Sequence, residues 1–136
     1  MVLSAELQPH QTADAAPYDF NQISLHTLAT APPDILDHLP FGIIGMSANG
    51  VVQIYNATEA KLAGLPPAKV LGGHFFENIA QCMNNYMIAQ RFIDEPELDA
   101  TINFVLTLRM RPTPVKLRML QSKSVDLHFV LIHRTR

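Results

Sequence analysis

Apolar residues occupy every second position through most of the last third of the chain. The first such run has them at Ile102, Phe104, Leu106, Leu108 and Met110. The alternation resumes at Val115, Leu117 and Met119, and again at Val125, Leu127, Phe129 and Leu131. This is the period of a β-strand that buries one face. The pattern therefore predicts three consecutive strands, separated by a proline-containing corner at 111–114 and a polar turn at 121–124.

A second β signal lies near the middle of the chain. The stretch 41–47 is apolar, Asn49-Gly50 follows it, and residues 51–55 are again largely apolar. Asn-Gly is the dipeptide most typical of a tight hairpin turn, because both of its residues tolerate positive φ. These residues predict a β-hairpin ahead of the three C-terminal strands.

Turn residues divide the segment after the hairpin into short helices. Asn56 is a predicted N-cap and Gly64 a predicted C-terminal stop, which places the first helix over residues 58–63. Pro67 opens a second short helix, and Gly72-Gly73 ends it. We therefore expect two helices of no more than a few turns directly after the hairpin.

A longer helix is predicted over residues 84–93, with Tyr86, Ile88 and Ala89 available for burial. The order is then two strands, several short helices and three strands. One antiparallel five-stranded sheet with the helices on one face satisfies that order. The predicted class is α+β, with a pocket for a small ligand between the helices and the sheet.

Residues 1–37 differ from the rest of the chain, because they are rich in proline and small polar residues. We interpret them as an N-terminal extension, or helical cap, with one or two short helices that pack on the main domain of residues 38–136. Its candidate anchors are Ile23, Leu25, Leu28, Ile35 and Leu36.

Composition excludes several classes of protein. Apolar residues make up 48% of the 136 residues and the net charge is −2, which suits a globular core and gives no electrostatic footprint for nucleic acid. No apolar run is long enough to cross a bilayer, and the first residues do not resemble a signal peptide. With only one cysteine, these features predict a cytoplasmic protein. The basic residues of the C-terminal half are interpreted as a solvated sheet face.

Three residue types indicate a candidate site. Cys82 is the only cysteine, so it is a buried apolar residue, an interchain thiol, or a nucleophile and attachment point. Tyr55 and Glu59 stand four residues apart and share one face if the segment is helical. A thiol, a phenol and a carboxyl group together suit an acidic organic ligand. No histidine stands at a spacing that predicts a metal site.

Four segments give the sequence a specific resemblance. They are Leu39-Pro40-Phe41-Gly42-Ile43-Ile44, Tyr55-Asn56-Ala57-Thr58-Glu59, His74-Phe75-Phe76-Glu77-Asn78-Ile79-Ala80-Gln81-Cys82 and Met110-Arg111-Pro112-Thr113-Pro114-Val115-Lys116. In this order and spacing they resemble the photoactive yellow protein family, over about residues 39–134. The resemblance implies a PAS fold and a blue-light receptor that signals and is not an enzyme.

The resemblance also implies a cofactor, p-coumaric acid (4-hydroxycinnamic acid), joined to Cys82 as a thioester. The implied binding residues are Cys82, Tyr55, Glu59, Met110, Phe75 and Ile44. Tyr55 and a protonated Glu59 are expected to donate hydrogen bonds to the buried phenolate. Light would isomerise the double bond, Glu59 would give up its proton, and the N-terminal extension would loosen. Met110 is expected to assist recovery of the dark state.

The sequence departs from the family pattern around this site. Gln81 replaces a proline before the cysteine, Ala63 replaces a threonine that supports the tyrosine, and Leu65 replaces an arginine over the ligand. Phe104 and Leu106 also differ from the family's residues. These changes are expected to weaken the hydrogen bonds around Tyr55 and to alter the pocket entrance, or to mark a domain that lost its pigment.

Two other functions stay open. One is a PAS sensory or dimerisation module without pigment, which binds another small molecule or a protein. The other is a thiol enzyme with Cys82 as acyl nucleophile, although the nearest histidine, His74, lies eight residues away in a helix-entry run. The expected partner is an unidentified signalling protein, with a homodimer as an alternative; neither nucleic acid nor a membrane is expected.

Overall fold

The computed structural model describes residues 18–107 and 111–134. Its α-helices are α1 (Leu25–Thr30), α2 (Pro33–Asp37), α3 (Ala57–Ala63), α4 (Pro67–Val70) and α5 (Ala89–Asp94). A π-helix (Phe75–Ile79) and a 3₁₀-helix (Gln81–Met83) lie between α4 and α5. The strands are β1 (Gly42–Met46), β2 (Val52–Tyr55), β3 (Leu98–Leu106), β4 (Thr113–Ser122) and β5 (Val125–Arg134).

The strands form one five-stranded antiparallel sheet in the order β2-β1-β5-β4-β3. The predicted α+β architecture is therefore confirmed. The hairpin turn ends at Gly50, whose φ of 82° lies in the left-handed region that favours glycine. The first C-terminal strand begins at Leu98, four residues earlier than predicted, because the buried-exposed alternation already starts there. Residues 108–110 of that predicted strand lie outside the described residues.

The sheet is covered on both faces, so it separates two clusters of buried side chains. On one face the helices after β2 pack against residues such as Ile44, Val130 and Ile132. On the opposite face the N-terminal segment packs its Ile23 and Leu28 against the sheet. The alternation of β5 predicted only one apolar face; here both Val130 and its neighbour Leu131 are fully buried.

Arg118 attaches the N-terminal segment to the sheet. Its side chain is 8% exposed and donates two hydrogen bonds, to the carbonyl oxygens of Phe20 (3.0 Å) and Ile23 (2.7 Å). The rest of its guanidinium group makes a bidentate ion pair with Asp99 at 2.8 and 2.9 Å. The prediction of a solvated basic face is therefore wrong at Arg118. The predicted anchor Ile35 is also wrong, because its side chain is 38% exposed.

The helix predicted over residues 84–93 is shorter in the structure, where α5 starts only at Ala89. The side-chain oxygen of Asn85 accepts hydrogen bonds from the backbone N–H groups of Met87 (2.9 Å) and Ile88 (3.1 Å), and so favours a turn instead of a helix. Ile88 is buried as expected, whereas Tyr86 is 80% exposed, so its predicted burial is wrong. None of the helices within the described residues has the length and apolar character to cross a membrane.

Candidate functional site

Asn56 organises the junction between the N-terminal segment, β1 and α3. Its side-chain amide donates to the carbonyl oxygens of Leu36 (2.8 Å) and Phe41 (3.0 Å). Its side-chain oxygen accepts from the backbone N–H groups of Ile43 (2.9 Å) and Glu59 (3.0 Å), so the predicted N-cap is confirmed. All of this hydrogen bonding is buried, and it fixes where the first turn of α3 places the Glu59 side chain.

Glu59 projects inward from α3 and its side chain is 2% exposed. The carboxyl group lies directly on the backbone of Gly42, where a β-carbon would collide with its oxygen Oε1. The carboxyl group also contacts the guanidinium group of Arg134, the last residue of β5. Arg134 donates from Nη1 to Oε1 (2.7 Å) and from Nη2 to Oε2 (3.1 Å). The result is a buried, bidentate ion pair across the end of the sheet.

Tyr55 ends β2 and is largely buried. Its hydroxyl group donates to the carbonyl oxygen of Leu65 at 3.0 Å. Burial and the nearby charge of Glu59 raise the pKa of Tyr55 to about 12, although Arg134 acts in the opposite direction. The phenol is therefore protonated at neutral pH and acts as a hydrogen-bond donor.

Burial raises the pKa of Glu59, while the hydrogen bonds and charge of Arg134 lower it. Desolvation is the larger of these effects, because the carboxyl group has lost nearly all of its water. Without Arg134, the free-energy cost of burying an ionised Glu59 would be far higher, because no opposite charge would offset the loss of its hydration. Arg134 is thus the group on which the ionised form of Glu59 depends.

Tyr55 and Glu59 line the same buried cavity. Its remaining walls are apolar and come from β1, α3, the π-helix, the 3₁₀-helix, β5 and the connections between them: Ile44, Ala63, Leu65, Phe75, Ile79, Ala80, Met83 and Ile132. The cavity has a volume of about 10 Å³, which holds one water molecule at most. Ile44 and Phe75, two of the predicted binding residues, lie in this wall.

Cys82 lies in the 3₁₀-helix beside this cavity. Its side chain is half-buried and packs against the same apolar cluster. Two neighbours in sequence, Ala80 and Met83, supply cavity wall. The backbone carbonyl of Cys82 accepts a hydrogen bond from the Asn85 side chain at 2.9 Å, which fixes the turn that carries the thiol.

His74, the histidine nearest to Cys82 in sequence, has one ring nitrogen in a local hydrogen bond. Its Nδ1 accepts a hydrogen bond from the backbone N–H of Glu77 at 3.1 Å, so it caps the π-helix. No cluster of three potential metal ligands occurs within the described residues. The predicted binding residue Met110 lies outside the described residues.

The sequence pattern places Arg134 on a solvated face and so does not identify it as a site residue. A signal was present in the alternation of β5. Arg134 shares the even-numbered face with Val130 and Ile132, and both of those apolar side chains are buried against the helices. A cation in that register requires a buried anion, and Glu59 is the carboxylate that pairs with it.

Comparison with known proteins agrees with this architecture. The family model of the PAS fold matches residues 32–136. The chain is 32% identical over 102 residues to photoactive yellow protein from Rhodothalassium salexigens, which covers 73% of this chain and 82% of the relative. It is 31% identical over 112 residues to photoactive yellow protein from Halochromatium salexigens, covering 80% and 90%.

Solved structures give the same result. The photoactive yellow protein domain of the sensor histidine kinase Ppr from Rhodospirillum centenum superposes with a TM-score of 0.73 at 32% identity, covering 80% of this chain and 98% of that domain. A PAS domain of an HTR-like protein from Haloarcula marismortui, at 15% identity and a TM-score of 0.62, shares the fold. The chain belongs to the photoactive yellow protein family of PAS domains.

Proposed function

We propose that this protein is a light-sensing PAS domain that carries a p-coumaroyl group as a thioester on Cys82. The observation that carries the proposal is the shared cavity: Tyr55, Glu59 and residues on both sides of the Gln81-Cys82 pair line one buried space. When bound, the group supplies a conjugated phenol that absorbs light and isomerises. Sensing of this kind needs no turnover, so the protein acts as a signalling module and not as an enzyme.

The chain's own residues fit such a group chemically. The thiol of Cys82 is half-buried beside the cavity, where it can form the thioester. The protonated hydroxyl of Tyr55 and the carboxyl group of Glu59 are the two polar groups of an otherwise apolar wall. They are therefore the groups expected to hydrogen-bond the phenolic oxygen, and Ile44 and Phe75 are expected to contact the ring. The role of Met110 stays a prediction.

The volume of the cavity sets a condition on this function. Ligand pockets usually measure at least about 300 Å³, so about 10 Å³ is far too little for an aromatic ring. We expect Leu65 and Met83, flexible side chains in the wall, to move outward when the ring enters. The Tyr55 hydroxyl now donates to the backbone carbonyl oxygen of Leu65, and it would have to leave that acceptor to donate to the ligand.

Acylation of purified protein tests the proposal. The full chain is mixed with the anhydride of p-coumaric acid, and its mass and absorption are recorded before and after illumination. We expect one adduct, an absorption band that bleaches and returns, and loss of both in Cys82→Ser. Tyr86→Phe is the matched control, since that phenol is 80% exposed and away from the cavity wall. An adduct on wild type without any light response, or one that survives in Cys82→Ser, would refute the proposal.

The small cavity favours a second candidate function, a PAS module that senses without pigment. In that case Leu65 and the Glu59–Arg134 ion pair keep the space closed, and the module responds to another small ligand or to a protein. The same experiment separates the two, because a pigment-free module would remain unacylated under conditions that acylate an unhindered thiol.

For the output we infer a separate signalling partner. The similar domain from Rhodospirillum centenum is part of a sensor histidine kinase. The loosening of the N-terminal segment expected from the sequence would expose the sheet face that Ile23 and Leu28 now cover. That face is the surface we propose for the partner, with self-association as the alternative.

A further inference from the structure

The pairing of Glu59 with Arg134 has the geometry of a carboxylate. Both carboxyl oxygens accept a hydrogen bond from the same guanidinium group, at 2.7 and 3.1 Å. If the carboxyl group were protonated, one of its oxygens would carry a hydrogen. That O–H group and an N–H group of Arg134 would then be two donors facing each other. The planar fork of arginine therefore selects the ionised form of Glu59.

The charges around Glu59 are few. Of the described residues that line its cavity, Tyr55 is the other titratable group, and its hydroxyl is neutral. On the outer side, Arg134 lines a larger cavity of about 400 Å³ together with Arg111 and Thr113. No second carboxylate belongs to either lining among the residues that the structure describes. Glu59 and Arg134 thus form a neutral pair, and any further anion in the inner cavity would lack a cation of its own.

Tyr55 shows how the Glu59–Arg134 pair affects the pKa of a neighbouring phenol. Its pKa is raised to about 12 by burial and by the charge of Glu59, and Arg134 offsets only part of the rise. A second phenol in the same cavity would meet the same carboxylate. Its ionised form would place two negative charges in a poorly solvated space, which is unfavourable.

We propose that Arg134 is a positioning residue that keeps Glu59 ionised, so that the site holds a phenolic ligand as a neutral hydrogen-bond donor. This inference rests on the proposed function for the identity of the ligand, but its electrostatic part concerns the protein alone. It reverses the direction of the hydrogen bond expected from the family resemblance, in which a protonated Glu59 donates to a phenolate. Neutral phenols are then the preferred ligand class, and ionised phenolates are disfavoured.

The charge of Glu59 is measured first without any ligand, by NMR titration of ¹³C-labelled glutamate side chains. The Glu59 resonance is assigned by its loss in Glu59→Gln. We expect Glu59 to be ionised at pH 7 in wild type, and its proton affinity to rise about ten- to thousandfold in Arg134→Gln. The matched control is Arg111→Gln, an exposed arginine of the same outer cavity, for which we expect a change of less than about threefold.

The second readout uses the acylated protein. The proton affinity of the bound phenol is expected to be at least about tenfold higher in the folded protein than in the same protein unfolded in denaturant. Any one of three results would overturn the inference. They are a protonated Glu59 in wild type at pH 7, an unchanged proton affinity of Glu59 in Arg134→Gln, and a bound phenol that ionises more readily in the folded protein than in the unfolded chain. If Cys82 is never acylated, the proposed function fails while the titration still decides the role of Arg134. If Arg134→Gln does not fold, the wild-type titration still tests the ionised state of Glu59, and a protonated Glu59 at pH 7 still overturns the inference.

Discussion

Replacement of Arg118 by methionine tests how the N-terminal segment is held on the sheet. Methionine keeps the apolar stem but removes the guanidinium group that donates to the carbonyl oxygens of Phe20 and Ile23. Each carbonyl would then be buried without that donor, at a cost of about 1–3 kcal/mol. The two together predict a loss of about 2–6 kcal/mol, which is a large share of the roughly 5–15 kcal/mol that stabilises a typical domain.

The ion pair with Asp99 allows a matched control. The Asp99 side chain is 58% exposed, so solvent screens it, and Asp99→Asn should cost less than about 1 kcal/mol. Urea unfolding gives both free energies. Limited proteolysis then shows whether the segment ahead of α1 becomes accessible in Arg118→Met alone. Equal losses in the two variants would refute the reasoning, because they would show that the ion pair, and not the carbonyl contacts, holds the segment.

Two further predictions concern the site. Asn56→Ala should destabilise the fold by about 2–4 kcal/mol in urea unfolding, because it removes a buried side chain that makes four hydrogen bonds. The control Asn21→Ala, at an exposed position, should have little effect. Similar losses of stability in the two variants would contradict the prediction. The second prediction concerns pH. Folding raises the pKa of Glu59 above its ordinary value of 4.5, so the folded state binds this proton more tightly than the unfolded state does. The stability that this tighter binding contributes is lost as pH rises through the pKa of Glu59 in the folded state. The unfolding free energies of wild type and Glu59→Gln are measured from pH 4 to pH 8. As pH rises from about 4.5, the stability of wild type should fall relative to that of Glu59→Gln. A gain in the relative stability of wild type would show that Arg134 outweighs desolvation.

Local chemistry decided much of this fold, and the sequence therefore predicted it. The hairpin at Asn49-Gly50 and the helix between Asn56 and Gly64 depend on backbone conformations and capping bonds made within a few residues. The alternation at Val115, Leu117 and Met119 likewise predicted their burial, because side chains of a strand point to opposite faces in turn.

The sequence also indicated Tyr55, Glu59 and Cys82 as a site, because their residue types and order resemble a known family. It did not decide which partners these groups have. Arg118 and Arg134 were expected in solvent, yet each is held by residues far away in the chain, Arg118 by Phe20 and Ile23 and Arg134 by Glu59. Pairings at that separation form only when the sheet and both of its covering layers are assembled. The charge of Glu59 depends on burial and on one distant cation, and for that reason only the tertiary structure decided it.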